Sequence, residues 1–147
     1  MSKLNDSAAA TVDQGPGATQ TESTRMLNGH TVLVLETEFI IALGLQSALQ
    51  AMGAAHVVLA RSPDEANQHR QDWSNATLAI VEVESDRPEL IAFAQQLAKN
   101  GTPVIGLTAD SIQAKGVPDL PGTPILLKPL PDAELAEAIR ARFAQKP

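Results

Sequence analysis

From His30 onward the chain alternates between short continuous apolar runs and longer stretches in which apolar residues recur at helical spacing. Short continuous apolar runs are typical of strands that are buried on both faces of a sheet. Five segments fit that description: Thr31–Leu35, His56–Leu59, Ala76–Val83, Pro103–Leu107 and Pro124–Leu127. Because helical stretches separate them, we predict an α/β domain whose five-stranded parallel sheet is covered by helices on both faces.

The helical stretches carry apolar stripes with a spacing of three or four residues. These stripes are Ile41, Leu45, Leu49 and Met52, then Leu90, Phe93, Ala94 and Leu97, and finally Leu135, Ile139 and Phe143 after Asp132 as the predicted cap. Another helix is predicted to start at Ser62-Pro63-Asp64-Glu65, which combines an N-cap hydroxyl, a proline at the first helical position and a nearby acid. The segment SIQAKGVPDLPGT, between strands four and five, contains two prolines and two glycines, so any helix there should be short or frayed.

Residues 1–28 differ from the rest of the chain in composition. They are rich in Ser, Thr, Ala, Gln and Gly and contain few large apolar side chains that could offset the entropy of ordering. We therefore predict a disordered tail at 1–28 and one folded domain at 29–147. The last predicted helix leaves only a few residues after Phe143, so we expect no separate output domain.

Bulk composition excludes several classes of function. A net charge of −6 argues against binding to nucleic acid or to an anionic membrane, and no apolar run is long enough to span a bilayer. The chain has no cysteine, which excludes thiolate metal sites and thiol catalysis and fits a cytoplasmic location. The three histidines share no metal-ligand spacing. Without tyrosine and with a single Trp, stacking platforms for bases are not expected.

Polar side chains collect at the carboxyl ends of the predicted strands. Strand one ends in Glu36-Thr37-Glu38, strand three carries Glu82, strand four ends in Thr108-Ala109 and strand five ends in Lys128-Pro129. The carboxyl ends of parallel strands lie at one edge of the sheet, which is where ligands bind in such folds. We therefore expect two acids, a hydroxyl and an ammonium group to converge there.

This order of residues resembles the receiver domains of two-component response regulators, over about residues 30–145. In that family strand one ends in a pair of acids that hold magnesium, and strand three presents an Asp that accepts a phosphoryl group. Strand four ends in Thr or Ser followed by Ala, and strand five ends in Lys-Pro, often with a cis peptide bond. The resemblance implies a flavodoxin-like sheet in the order 2-1-3-4-5. It also implies that Glu82 is equivalent to the phosphoacceptor and that Thr108 and Lys128 are equivalent to the groups that contact the phosphate.

Three positions depart from the family pattern. Glu82 replaces the phosphoacceptor Asp, Thr37 replaces the principal magnesium-binding acid, and Ile125 stands where an aromatic residue often reports phosphorylation. Only Glu36 remains of the acidic pair, so at most weak Mg²⁺ binding is expected and no other cofactor. Because phosphoryl transfer depends on position and on metal electrostatics, both changes should impair it. A Glu82–Lys128 ion pair is the expected substitute for part of the phosphorylated charge pattern.

Three functions remain open at this point. The first is a stand-alone pseudo-receiver, not an enzyme, that binds a histidine kinase, a phosphotransfer protein or another response regulator, with a homodimer left open. The expected surface consists of the first helix and the last strand and helix. The second is a working phosphoacceptor or phosphate shuttle that uses Glu82, Glu84 or Asp86. The third is a small flavodoxin-like flavin protein, which the acidic loop after strand one disfavours because it would repel a phosphate.

Overall fold

The computed structural model of the protein describes residues 25–144. Its strands are β1 (Thr31–Leu35), β2 (His56–Ala60), β3 (Leu78–Glu82), β4 (Val104–Thr108) and β5 (Ile125–Leu127). Its helices are α1 (Phe39–Ala51), α2 (Pro63–Gln68), α3 (Arg70–Trp73), α4 (Pro88–Lys99) and α5 (Asp132–Ala144). The sheet is parallel throughout, in the order β2-β1-β3-β4-β5, which confirms the predicted fold class and strand order.

Element boundaries differ from the prediction by one or two residues. β3 begins at Leu78 rather than at Ala76, because the Ala76 N–H closes a turn on the Trp73 carbonyl at 2.9 Å. Asp132 is the first residue of α5 rather than its cap. The segment between β4 and β5 forms only a 3₁₀ turn at Gln113–Lys115, as its prolines and glycines predicted.

The sheet separates two apolar layers, because alternate residues of a strand face opposite sides. Leu33 and Leu35 of β1 face the layer formed with α2, α3 and α4, whereas Val32 and Val34 face the layer formed with α1 and α5. All four side chains are fully buried, which at about 1.5–3 kcal/mol each makes this strand a major source of stability. No helix within residues 25–144 has both the length and the apolar character that a membrane span requires.

The start of α2 is held by the predicted cap. Ser62 Oγ accepts a hydrogen bond from the Glu65 N–H at 3.0 Å, and Glu65 Oε1 accepts one from the Arg61 N–H at 2.6 Å. Farther along, Trp73 is buried, and its indole N–H donates to the Ala66 carbonyl at 2.7 Å. These contacts fix the start of α2 and tie α3 to it.

The folded domain begins before the predicted boundary. Leu27 is fully buried among residues of the α1–α5 layer, and its N–H donates to the Met52 carbonyl at 2.9 Å. Asn28 forms an antiparallel bridge with Ala54. A single leucine in a polar stretch has no periodicity that would reveal its burial. Residues 1–24 lie outside the described part of the chain, so the disordered tail stays a prediction there.

We expect Leu27→Ala to lower the free energy of unfolding by about 2–5 kcal/mol, because it would leave a cavity in a fully buried position. Leu43→Ala is the matched control, since Leu43 lies on α1 with 38% of its surface exposed. Its cost should stay below about 1 kcal/mol. Urea unfolding followed by circular dichroism measures both. Equal small effects would mean that Leu27 is not part of the cooperative core.

Candidate functional site

The parallel sheet brings the predicted site residues to one edge. Glu36 follows β1, Glu82 ends β3, Thr108 ends β4 and Lys128 follows β5. Backbone hydrogen bonds continue the ladder past the strand ends: the Glu36 N–H donates to the Ala60 carbonyl at 3.0 Å, and the Lys128 N–H donates to the Thr108 carbonyl at 2.8 Å. The positions of these side chains are therefore set by the sheet rather than by flexible loops.

Lys128 joins two carboxylates in a cluster that is almost inaccessible to solvent. Its Nζ lies 3.2 and 3.3 Å from the two carboxylate oxygens of Glu36, and 3.7 Å from Glu82 Oε2. The exposed fractions of the Lys128, Glu36 and Glu82 side chains are 7%, 0% and 6%. The expected Glu82–Lys128 pair thus exists as a charge contact, but Lys128 donates its hydrogen bonds to Glu36. The Lys128–Pro129 peptide bond is cis, as the family resemblance implied.

Glu82 is bound by Thr37 instead. Glu82 Oε1 accepts hydrogen bonds from the Thr37 N–H at 2.9 Å and from the Thr37 hydroxyl at 2.6 Å. A glutamate carries one methylene more than the aspartate that the resemblance implies at this position, and its carboxylate reaches the loop after β1. Thr37, where the resemblance implies a metal-binding acid, acts here as a donor to the neighbouring carboxylate.

The pKa values of the two carboxyl groups in the cluster are shifted in opposite directions. Burial raises the pKa of Glu36 to about 7, and the negative charge of Glu82 adds to this, while the Glu38 N–H and Lys128 oppose it. Burial also acts to raise the pKa of Glu82, but the two hydrogen bonds from Thr37 and the charge of Lys128 outweigh it and lower that pKa. Glu36 therefore holds its proton more tightly than Glu82 does.

The donor set does not fit a tightly held magnesium ion. Mg²⁺ requires oxygen ligands in near-octahedral geometry, chiefly carboxylates and water. Both oxygens of Glu36 face the Lys128 ammonium, and one oxygen of Glu82 already accepts two hydrogen bonds. Residues 25–144 contain no group of three or more His, Asp or Glu side chains that could hold a metal ion. Weak binding at Glu36 stays a prediction, and it would require Lys128 to move.

Thr108 contacts a residue that sequence reasoning considered only as an alternative phosphoacceptor. Its hydroxyl donates to Glu84 Oε1 at 2.9 Å, and the Ala109 N–H donates to Glu84 Oε2 at 3.1 Å. Glu84 lies two residues beyond the end of β3, so no strand periodicity in the sequence indicates this contact.

Ile125, at the position of the family's aromatic reporter, is a core residue with 8% of its surface exposed. It packs over Gly106 of β4, where an added Cβ would lie 2.5 Å from the Ile125 Cδ1 atom. The Ile125 side chain therefore fills the space that Gly106 leaves open. Because it is aliphatic and buried, it places no aromatic ring on the surface.

Comparison with known proteins gives a match in structure only. No protein-family model and no curated protein matches the chain. A response regulator from Thermotoga maritima superposes with a TM-score of 0.66, covering 80% of this chain and 99% of that chain at 21% identity. The chain has the fold of response regulator receiver domains.

Two further structures superpose over a similar extent. The receiver domain of the histidine kinase CKI1 from Arabidopsis thaliana, complexed with Mg²⁺ and BeF₃⁻, matches with a TM-score of 0.61 and 18% identity, over 86% of this chain and 97% of that one. A chain of the CheX–CheY–BeF₃–Mg²⁺ complex from Borrelia burgdorferi matches with a TM-score of 0.65 and 16% identity, over 80% and 92%. At these identities the likeness concerns the receiver fold.

The raised pKa of Glu36 has a consequence for stability. An acid whose pKa is higher in the folded state favours folding when protonated, so its contribution is present below pH 4.5 and is lost as the pH rises to about 7. We expect the unfolding free energy of Glu36→Gln, relative to the native protein, to increase over this range by on the order of 3 kcal/mol.

Denaturant titrations at about pH 5 and about pH 8 measure this difference. The matched control is Glu89→Gln, which changes an exposed acid in the first turn of α4. Its difference from the native protein should not change with pH in this way. Parallel pH profiles for the native protein and Glu36→Gln would contradict the assignment.

Proposed function

We propose that the chain is a receiver-like signalling module of a two-component phosphorelay that acts by protein–protein interaction and without being phosphorylated. The supporting observation is the double hydrogen bond from Thr37 to Glu82, at 2.6 and 2.9 Å, on a carboxylate that is almost fully buried. A phosphoacceptor needs a carboxylate oxygen that a phosphoryl donor can approach in line. In Glu82, Oε1 instead accepts both hydrogen bonds from Thr37, and Oε2 lies 3.7 Å from Lys128 Nζ.

The same contacts disfavour the phosphate-shuttle alternative. Glu84, a second candidate acceptor, has each of its carboxylate oxygens bonded to a donor from the end of β4. Catalysis of phosphoryl transfer by receivers relies on Mg²⁺, according to the resemblance, and the cluster around Lys128 does not fit that ion. The module we propose therefore uses the receiver scaffold in the cytoplasm as a fixed recognition surface.

A groove beside the charged cluster is the proposed docking surface. It has a volume of about 440 Å³ and lies between α1 and the segment from β5 to α5. Its apolar lining includes Ile40, Leu45, Leu130 and Leu135, and Ile40 is 78% exposed. Carboxylates of Glu38 and Asp132 stand at its rim. An apolar groove with an acidic rim suits a helix that carries an apolar stripe flanked by basic residues.

We assign this groove to the helical histidine-containing domain of a kinase or phosphotransfer protein. The assignment matches the surface predicted from the sequence, namely the first helix together with the last strand and helix. A solved neighbour of this fold is itself the receiver domain of a histidine kinase, which makes such a partner reasonable for the present chain. The net charge of −6 favours a basic partner surface in the same way.

We expect the native protein to show no amide chemical-shift changes at residues 36–38 and 82–84 when Mg²⁺ is added at low millimolar concentration with acetyl phosphate or beryllium fluoride. The reason is that Thr37 and Lys128 already satisfy the carboxylates. The double variant Thr37→Asp/Glu82→Asp restores the family's acids, and its amides should shift at low millimolar Mg²⁺. Each single variant should respond less. Intact-mass detection of an acyl phosphate on native Glu82 would disprove phosphorylation independence.

We expect Ile40→Asp to weaken binding to the cognate helical domain about tenfold or more, because it places a charge at the centre of an apolar contact. Ile112→Asp is the matched control, since Ile112 is similarly exposed, at 74%, on the segment between β4 and β5. Isothermal titration with the kinase and phosphotransfer domains encoded in the same genome measures both. Equal loss in the two variants would argue against the groove. Concentration-dependent self-association that Ile40→Asp abolishes would indicate a second copy as the occupant.

A further inference from the structure

The carboxylate of Glu84 forms a bidentate contact with the end of β4. One oxygen accepts from the Thr108 hydroxyl at 2.9 Å and the other from the Ala109 N–H at 3.1 Å. Thr108 is fully buried and Glu84 partly buried, so water competes weakly for the hydroxyl. Charge-assisted hydrogen bonds of this kind are about twice as strong as neutral ones. The contact therefore holds the end of β4 firmly against the loop that follows β3.

This contact uses the one hydrogen that the Thr108 hydroxyl can donate. A hydroxyl donates only one hydrogen, and that hydrogen points to Glu84. The same oxygen accepts from the Asp110 N–H at 3.0 Å. The hydroxyl is thus turned toward an anionic group of its own chain.

We propose that Glu84 is a built-in anionic ligand that occupies the Thr108 hydroxyl and the Ala109 amide and excludes free oxyanions from them. A hydroxyl and an adjacent backbone N–H that together bind two carboxylate oxygens are also suited to two oxygens of a tetrahedral oxyanion such as inorganic phosphate. A carboxylate tethered in the same chain has a high effective concentration and displaces a free anion. This inference rests on the proposed function in one respect only. It takes the contact of Glu84 with Thr108 and Ala109 to regulate the conformation of a module that needs no phosphorylation.

The contact extends into the segment between β4 and β5. After Ala109, the Ile112 N–H donates to Asp110 Oδ1 at 2.9 Å, and a short 3₁₀ turn follows. The buried amide group of Gln113 has no hydrogen-bond partner within residues 25–144. A segment with so little regular structure takes its conformation from its anchors. Release of Glu84 should therefore change residues 109–113 more than any other part of the domain.

The test is a titration with inorganic phosphate followed by ¹H–¹⁵N NMR, without magnesium and without a phosphoryl donor. In Glu84→Ala we expect the amides of Ala109 and Asp110 to move from their native positions and then to titrate with phosphate. The apparent affinity should be about tenfold higher than in the native protein, since the tethered competitor is gone. Asp86→Ala is the matched control, because it removes an exposed acid from the same loop. It should leave both amides and the phosphate response as in the native protein.

Two results would overturn the inference. One is that Glu84→Ala leaves the Ala109 and Asp110 amides unmoved, and the other is that phosphate titrates them equally in the native protein and the variant. If Glu84→Ala does not fold, Glu84→Gln serves instead, because its amide group keeps one acceptor but loses the second. Glu84→Gln should shift the amide resonance of Ala109 or of Asp110. A native-like spectrum would again contradict the inference. Phosphorylation of Glu82 would contradict the proposed function. It would not alter this measurement, which uses neither magnesium nor a phosphoryl donor.

Discussion

Lys128 Nζ is shared by Glu36 and Glu82 at a point where almost no water reaches any of the three side chains. Removing an ion from water costs several kcal/mol in a protein interior, and removing one partner of such a group leaves an uncompensated charge. The three groups come from the ends of β1, β3 and β5, which are brought to one edge only by the parallel order of the sheet. The electrostatics of the cluster and the topology of the fold therefore depend on each other.

The carboxylates of the pocket accept hydrogen bonds from groups of the same chain. Thr37 donates to Glu82, and Thr108 donates to Glu84, so these two hydroxyls at the carboxyl edge are each paired with a glutamate of the same chain. A pocket built for transient phosphoryl chemistry needs donors and acceptors that are free to change partners. Here they are already paired with one another. In the function proposed above, the edge serves as a rigid platform for the adjoining groove rather than as a reaction centre.

The fold was predictable because its determinants are periodic. Continuous apolar runs mark strands buried on both faces, and the stripes of α1, α4 and α5 mark the helical faces that cover them. The residues that gather at the carboxyl edge follow from strand direction alone. The pairing of particular oxygens and donors was not predictable, because it depends on side-chain length and rotamer. The contact of Thr108 with Glu84 and the burial of Leu27 were likewise not predictable, since neither Glu84 nor Leu27 stands in a repeating pattern.

Leu27 also determines where the described chain enters the domain. It packs beside Met52, near the amino ends of the strands, whereas the charged cluster lies at their carboxyl ends. The length of β1, five residues at about 3.3 Å each, separates the two edges by roughly 15 Å. A fluorophore attached at residue 25 would thus lie on the side remote from the groove. Immobilising the protein through that residue would leave the proposed docking surface facing outward.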